Sequence, residues 1–333
     1  PNVEIKAVAY ENDAFKTKLK TAFGAGSPPD IFHTWGGGVL RERARAGLVH
    51  DLSGLYADDA FKGRFSAGAL SFAYIDGKPL MVPSDLSLVL FFYNKELFAQ
   101  HNLEIPKTRK DLLAVCARLR QAGVVPITLG NKDKWPGCFY YVYGVVRGGG
   151  SKPIAAAADL EPGAFKHRAF IAGGDTVLAF AGNDCFNPGF QGINYQASRK
   201  LLFTERAGMT LMGTWLIANA NAEAPPGFVE KLGCFAFPGE ENNGVVGGIN
   251  CAFAVSAKCP HPDLAEEFLK YLSDATFAAG WARTGRIPAC KGAADADFLP
   301  LTKEAFDVLN EAEFVQLYFD QLFPPAVGEK HKE

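Results

Sequence analysis

The chain has 333 residues, of which 48% are hydrophobic and 21% charged, with a formal net charge of −2. This length allows about two domains with a large core, and the near-neutral charge argues against nucleic-acid binding, which requires a basic patch. No apolar run approaches the ~18 residues that cross a bilayer. The start shows no charged-then-apolar leader, so an exported protein would be present here in mature or trimmed form.

The first elements alternate between strand and helix. Apolar and polar residues alternate over residues 3–8, which predicts a half-buried strand. Asn12 or Asp13 can cap a helix that ends before Pro28. A short strand at residues 31–33 and a run of three glycines then lead into a helix that stops at Gly47.

The centre of the chain continues this alternation. Pro83 should break the next strand region, and residues 86–93 form a nearly continuous apolar strand, typical of a strand buried on both faces. Thr108 and Asp111 predict the capping box of a helix that ends at Gly123, and a strand follows over residues 124–129.

Helices dominate the last part of the chain. Residues 224–227 form a loop, and Asp263 should cap a later helix. Strands that alternate with helices predict parallel α/β sheets covered on both faces.

The sequence contains no motif that calls for an enzyme or a bound metal. His-Glu-x-x-His and Gly-x-Ser-x-Gly are absent, and the glycines after Trp35 do not form a phosphate loop. Seven cysteines are scattered without metal-ligand spacing. Buried thiols are the first interpretation, and one or two disulfides are an alternative if the chain is exported.

Three of the four tryptophans stand beside glycine-rich turns. Trp35 precedes three glycines, Trp135 precedes Pro-Gly, and Trp215 follows Gly-Thr, whereas Trp281 is assigned to the core. A tryptophan in such a loop is typical of a ligand platform, because sugars pack their C–H faces on aromatic rings.

Several stretches resemble one known family in order and along nearly the whole chain. They include Pro29-Asp-Ile-Phe-His-Thr-Trp-Gly-Gly37, Gly77-Lys-Pro-Leu-Met-Val-Pro83, Met209-Thr-Leu-Met-Gly-Thr-Trp215, Gly247-Gly-Ile-Asn250 and Thr284-Gly-Arg-Ile-Pro288. The chain is similar to the family-1 extracellular solute-binding proteins, which include maltodextrin-binding proteins. Members of that family begin with a further strand and helix and end with a further helix, so we expect the natural protein to extend beyond both ends.

The resemblance implies a two-lobed α/β periplasmic-binding-protein fold, type II-like, with the ligand in the cleft between the lobes. The first lobe would comprise residues 1–85 plus 252–312, and the second residues 86–251 plus 313–333. Lobe crossings would lie near residues 83–87, 250–253 and 311–316, and closure would be a hinge motion.

The resemblance also implies which residues contact the ligand. The substrate-binding residues would lie on both walls and at the crossings: Trp35, Gly37, Asp85, Ser87, Trp135, Trp215, Gly248, Asn250 and Arg286. No catalytic residue, cofactor or metal is expected. Residues 93–95 would form hinge and helix-cap structure.

The function implied is that of an extracytoplasmic receptor, periplasmic or a cell-surface lipoprotein. It would bind a di- or oligosaccharide and deliver it, as a monomer, to the membrane permease subunits of an ABC importer. Two alternatives stay open: a receptor of the same fold for a polyamine or metal ion, and a carbohydrate-active enzyme.

Overall fold

Helices and strands alternate along residues 3–332, which a computed structural model describes. The helices are α1 (Asn12–Gly24), α2 (Gly37–Arg45), α3 (Ser53–Tyr56), α4 (Asp59–Lys62), α5 (Ala67–Ala73), α6 (Lys95–Gln100), α7 (Arg109–Gln121), α8 (Trp135–Gly149), α9 (Lys152–Ala158), α10 (Arg168–Gly182), α11 (Tyr195–Phe203), α12 (Trp215–Glu223), α13 (Phe228–Lys231), α14 (Pro262–Tyr271), α15 (Ala275–Arg283), α16 (Pro300–Glu311), α17 (Phe319–Leu322) and α18 (Pro325–His331). The strands are β1 (Ile31–Thr34), β2 (Tyr74–Ile75), β3 (Lys78–Pro79), β4 (Val82–Asn94), β5 (Val125–Ile127), β6 (Ala207–Gly213), β7 (Leu232–Phe235), β8 (Val245–Val255), β9 (Ile287–Pro288) and β10 (Val315–Gln316).

Two long antiparallel strands, β4 and β8, form the centre of the molecule. Their register pairs Val82 with Phe253 at one end and Val89 with Val246 at the other. The main sheet has the order β1-β8-β4-β6-β5, with β7 and β9 also paired to β4 and β10 paired to β8. These two strands therefore connect elements from both halves of the fold.

The prediction of parallel sheets is wrong for most of this sheet. Among the described strands, β5 pairs with β6 and β10 with β8 in parallel, and the other pairs of the main sheet are antiparallel. The reason is that β4 runs across the molecule and receives later strands that return in the opposite direction.

Pro83 lies inside β4 and does not break it. The register between β4 and β8 shifts between Pro83 and Asp85 and again between Asp85 and Leu86. A strand tolerates proline at such irregularities, because the regular ladder of hydrogen bonds is already interrupted there.

The predicted strand at residues 3–8 is absent from the described residues. Val3, Ile5 and Val8 are 48%, 48% and 61% exposed, and the segment pairs with no strand in the described part. Alternation alone does not make a strand without a sheet edge to pair with. The following helix, α1, is confirmed, although the Glu11 carboxylate caps it rather than Asn12 or Asp13.

Later helix boundaries follow local capping chemistry. The capping box of Thr108 and Asp111 is confirmed at the start of α7. Asn94 caps α6 by accepting a hydrogen bond from the Leu97 amide at 3.0 Å. Helix α14 begins at Pro262, so Asp263 lies in its first turn and is not its cap.

Buried apolar side chains separate into three clusters. The largest draws on residues 88–246 and 301–323, and the other two draw on residues 19–82 and 249–290. This segregation agrees with two lobes, whose boundaries stay a prediction. Leu301 and Ala305 of α16 belong to the largest cluster, so we propose that the second lobe includes α16.

Helix α2 packs closely against the backbone around α17. A side-chain carbon on Gly38 would lie 2.3 Å from the Phe323 carbonyl oxygen, and one on Gly37 would lie 1.9 Å from that of Gln321. Gly37 also has a φ of +57°, which favours glycine. This close approach accounts for glycine at Gly37, and its predicted ligand contact stays a prediction.

Candidate functional site

A buried carboxylate, Asp85, organises the first part of the site. It lies at the irregular stretch of β4 and is 1% exposed. Its Oδ2 accepts hydrogen bonds from Asn250 Nδ2 at 2.5 Å and from Arg286 Nη1 at 2.7 Å. Its Oδ1 accepts one from the Ile287 amide at 3.2 Å. The network joins β4, β8 and β9.

Asp85 therefore holds its neighbours in place. Burial raises the pKa of its carboxyl, and the Arg286 guanidinium and the Asn250 amide act in the opposite direction. Both oxygens are already used by protein donors. Its predicted ligand contact stays a prediction, and Asn250 and Arg286 are half-buried and held in place by it.

Trp281 belongs to this region and is more than a core residue. The Arg286 guanidinium lies over its ring, 4.4 Å from the ring centroid. The side chain is half-buried, and its indole Nε1 is buried without a hydrogen-bond partner among the described residues. An unpaired indole N–H beside an arginine can donate to a ligand oxygen.

His33 places Trp35 next to the same network. The two rings are edge-on with centroids 4.3 Å apart, and His33 Nε2 lies 3.2 Å from the Asn250 carbonyl oxygen. Since a carbonyl only accepts, His33 carries its proton on Nε2. Burial lowers the pKa of His33 to about 4, so the ring is neutral at pH 7.

The low pKa of His33 predicts a loss of stability in acid. Between its ordinary pKa of 6.5 and its folded value of about 4, the unfolded chain takes up a proton that the folded chain resists. The free energy of unfolding should fall as pH falls through this window, by up to about 1.4 kcal/mol per pH unit. Urea unfolding of wild type and His33→Gln at pH 7 and 5 checks this. Equal losses in both proteins would contradict it.

An aromatic cluster forms the second part of the site. Trp135 and Trp215 are the first residues of α8 and α12, and their ring centroids are 6.0 Å apart at 61°. Trp135 also contacts Phe139 and Tyr195, at 5.8 and 5.6 Å. Both tryptophans are half-buried, and the Trp135 indole Nε1 is buried without a partner among residues 3–332. Each tryptophan ring is therefore held by neighbouring side chains and is still partly exposed.

Gly213 leaves the space in which the Trp215 ring lies. A side-chain carbon on Gly213 would lie 2.1 Å from the ring atom Cζ3, so the indole occupies the space beside this glycine.

Gly213→Ala should therefore displace the Trp215 ring and lower the free energy of unfolding by about 1–3 kcal/mol. Gly174→Ala in α10 is the matched control, because its new carbon meets nothing within 4 Å; this change should raise stability by about 0.5–1 kcal/mol. Chemical denaturation of both variants measures the difference, and a neutral Gly213→Ala would mean that the ring does not rest there.

Tyr318 connects the strand crossing with the aromatic cluster. Its hydroxyl is hydrogen-bonded to that of Ser87, and its ring lies 5.8 Å from Phe139. Ser87 is 1% exposed, and a side-chain carbon on Gly248 would lie 2.5 Å from Leu317 Cδ1. Ser87 and Gly248 thus pack against protein atoms, and their ligand contacts stay predictions.

Gly285 brings the two parts of the site together. A side-chain carbon there would lie 2.7 Å from Ile217 Cγ2 and 3.2 Å from the Ala218 amide nitrogen. Ile217 is two residues after Trp215 in α12, and Gly285 directly precedes Arg286. The arginine network and the tryptophan cluster therefore lie on elements in direct contact.

The nine predicted residues divide by exposure. Six are half-buried: Gly37, and five that belong to the two adjoining groups, Trp35, Trp135, Trp215, Asn250 and Arg286. Sequence reasoning missed His33, Tyr195 and Tyr318, and it assigned Trp281 to the core. For Trp281 a signal existed, since it lies five residues before Arg286 at a helix end.

Two surface cavities lie elsewhere. One of about 440 Å³ is lined by residues that include Gly149, Lys152 and Arg168. Another of about 270 Å³ is lined by residues that include Pro225 and Leu299. Neither contains a tryptophan, so neither offers the stacking surface of the aromatic cluster.

Residues 3–332 contain no group of three or more His, Cys, Asp or Glu side chains arranged to hold a metal ion. Within the same range, no helix is long and apolar enough to span a membrane.

The fold and the site define a two-lobed binding protein, with long strands crossing between lobes beside a half-buried aromatic cluster. The sequence pattern of the bacterial extracellular solute-binding protein family matches residues 1–278. The chain belongs to this family, which places it outside the cytoplasm.

Named relatives cover most of the chain. The multiple sugar-binding protein of Streptococcus mutans serotype c is 26% identical over 322 residues, which are 92% of this chain and 73% of the relative. The diacetylchitobiose binding protein of Streptomyces coelicolor is 28% identical over 303 residues, 86% of this chain and 66% of the relative. Both are binding proteins rather than enzymes by name.

Solved structures share the architecture. A protein studied for xylan utilisation by Caldanaerobius polysaccharolyticus is 28% identical, with a TM-score of 0.92 over 100% of this chain and 86% of that chain. A chitin oligosaccharide binding protein, 23% identical, has a TM-score of 0.89 over 100% of this chain and 84% of that chain. The two-lobed fold is therefore confirmed.

Proposed function

We propose that this chain binds a sugar, a di- or oligosaccharide, between its two lobes and delivers it to the permease subunits of an ABC importer. The observation that carries the proposal is the pair of half-buried tryptophans, Trp135 and Trp215, fixed at adjoining helix starts. Aromatic faces of this kind match the C–H faces of sugar rings. Relatives named for multiple sugars and diacetylchitobiose support the same ligand class.

Polar groups beside the rings suit sugar hydroxyls. The Arg286 side chain is one-quarter exposed, and its guanidinium can donate to hydroxyl oxygens. The indole N–H groups of Trp135 and Trp281 are unpaired among the described residues and are buried, so they would reach a ligand only when the site opens. Fixed donors and rings together provide orientation as well as contact area.

The charge of the site favours a neutral ligand over a polyamine. Its buried carboxylate, Asp85, is neutralised by Arg286 at 2.7 Å. A cationic ligand would have to approach an arginine without a free carboxylate to pair with, which is unfavourable. The receptor for a polyamine is therefore the weaker candidate.

Closure of the lobes around the sugar would present the loaded state to the permease. A ligand that touches both walls favours the closed state by its differential affinity. We place Trp35, Asn250 and Arg286 on the first wall and Trp135 and Trp215 on the second.

A thermal-shift screen over mono- and oligosaccharides, with a polyamine and a divalent metal as comparison ligands, tests this function. A sugar at about 100 times its Kd should raise the free energy of unfolding by about 2.7 kcal/mol. A response to the polyamine or the metal alone would refute the proposal.

A further inference from the structure

Two buried cysteines from distant parts of the chain meet in the second lobe. Cys116 lies on the inward face of α7 and is 1% exposed, and Cys185 follows α10 and is 0% exposed. Both side chains belong to the same buried cluster, and the two thiols interact with each other there. We propose that Cys116 and Cys185 form a disulfide in the oxidising space outside the cytoplasm.

The backbone around both thiols is fixed by independent contacts. Arg120, one turn after Cys116, donates from Nη1 to the Asn183 carbonyl at 3.0 Å and to Asp184 Oδ2 at 3.1 Å. The Cys185 carbonyl accepts from the Ile127 amide at 2.9 Å. Helix α7 and residues 183–185 are therefore held together whether or not the sulfurs are bonded.

The other five cysteines do not form such a pair among the described residues. Cys138 contacts the Lys134 carbonyl, and Cys290 contacts that of Asp274. The groups that interact with Cys234, Cys251 and Cys259 include no thiol. The pairing is therefore specific to Cys116 and Cys185.

The chemistry is a two-electron oxidation by disulfide exchange. The thiolate of one of the two cysteines attacks the disulfide of an extracytoplasmic thiol oxidant, forming a mixed disulfide and releasing one oxidant thiol. The other cysteine then displaces the second oxidant sulfur. Two S–H bonds are lost, one S–S bond forms, and the oxidant disulfide becomes two thiols.

Because both sulfurs are buried in the folded lobe, the disulfide must form during folding. Neither sulfur is open to a protein oxidant in the folded lobe, so the exchange belongs to folding, before the core closes. The chain segment between Cys116 and Cys185, which the disulfide would close, contains α8, whose first residue is Trp135. The disulfide would therefore stabilise the lobe that carries the tryptophan cluster.

Peptide mapping of the protein purified from an oxidising compartment tests the proposal directly. The chain is unfolded with an alkylating reagent and digested without reductant. We expect one linked peptide pair containing Cys116 and Cys185, and alkylation of the other five of the seven cysteines. Alkylation of all seven thiols, or a different pairing, would overturn the proposal.

Thermal unfolding gives a second readout. The oxidised protein should melt at least about 5 °C above the reduced one. This difference should vanish in Cys116→Ala and persist in the matched control Cys138→Ala. If Cys116→Ala does not fold, the peptide map of the wild type still decides the question.

Discussion

Arg286→Met should lower the free energy of unfolding at pH 7 by about 3 kcal/mol. The substitution leaves the Asp85 carboxylate 1% exposed without its cation. Removing one partner of a buried ion pair costs roughly 3–5 kcal/mol, because the remaining charge stays desolvated. The one-quarter exposure of Arg286 places the effect at the lower end. Urea unfolding measures it.

The pair Arg283 and Asp297 offers a matched control. It joins the same two residue types at 2.8 Å, but the Arg283 side chain is 65% exposed. Arg283→Met should therefore cost at most about 1 kcal/mol. The double variant Asp85→Asn with Arg286→Met should be more stable than Arg286→Met alone, because no buried charge remains. Equal losses for Arg286→Met and Arg283→Met would show that Asp85 is not the buried centre of a network.

Trp215→Ala should weaken sugar binding by about 2 kcal/mol or more, roughly thirtyfold. Trp215 combines a half-buried ring with direct packing on Trp135 and Phe139, so it presents a fixed surface rather than a mobile one. Trp135→Ala should have a similar or smaller effect. Calorimetric titration of each variant with the sugar found by the thermal-shift screen measures the change.

The free energy of unfolding, measured without sugar, distinguishes a loss of sugar contact in Trp215→Ala from a loss of core packing. If Trp215 were only a core residue, Trp215→Ala would lower stability by about 3–5 kcal/mol and leave the affinity of the folded fraction unchanged. Trp215→Phe retains a ring and should recover part of the affinity. Normal affinity with a collapsed melting temperature would reject the stacking role.

Local chemistry made several elements predictable from sequence. The Thr108 and Asp111 box started α7, and the apolar run at residues 86–93 formed most of β4. The glycine-rich turn before Trp215 precedes the start of α12, and the stacking role that the family resemblance implies for Trp215 stays a prediction. Elements whose formation depends on residues close in the sequence can therefore be predicted from the sequence.

Features that depend on distant partners were not predictable. Strand direction in the sheet depends on which strands return to β4, and the alternation at residues 3–8 found no edge to pair with. The ligand contact predicted for Asp85 came from its position in the chain, whereas its hydrogen bonds to Asn250 and Arg286, more than a hundred residues away, could not be predicted from the sequence. Spacing cannot indicate whether a polar side chain points to a ligand or to another side chain.

Calorimetric titration of the purified chain against a panel of di- and oligosaccharides tests the central claim most directly. We expect at least one sugar to give saturable heat at one site per chain, with the signal much weakened in Trp215→Ala. Saturable heat with a polyamine or a divalent metal, and none with any sugar in the panel, would contradict the account.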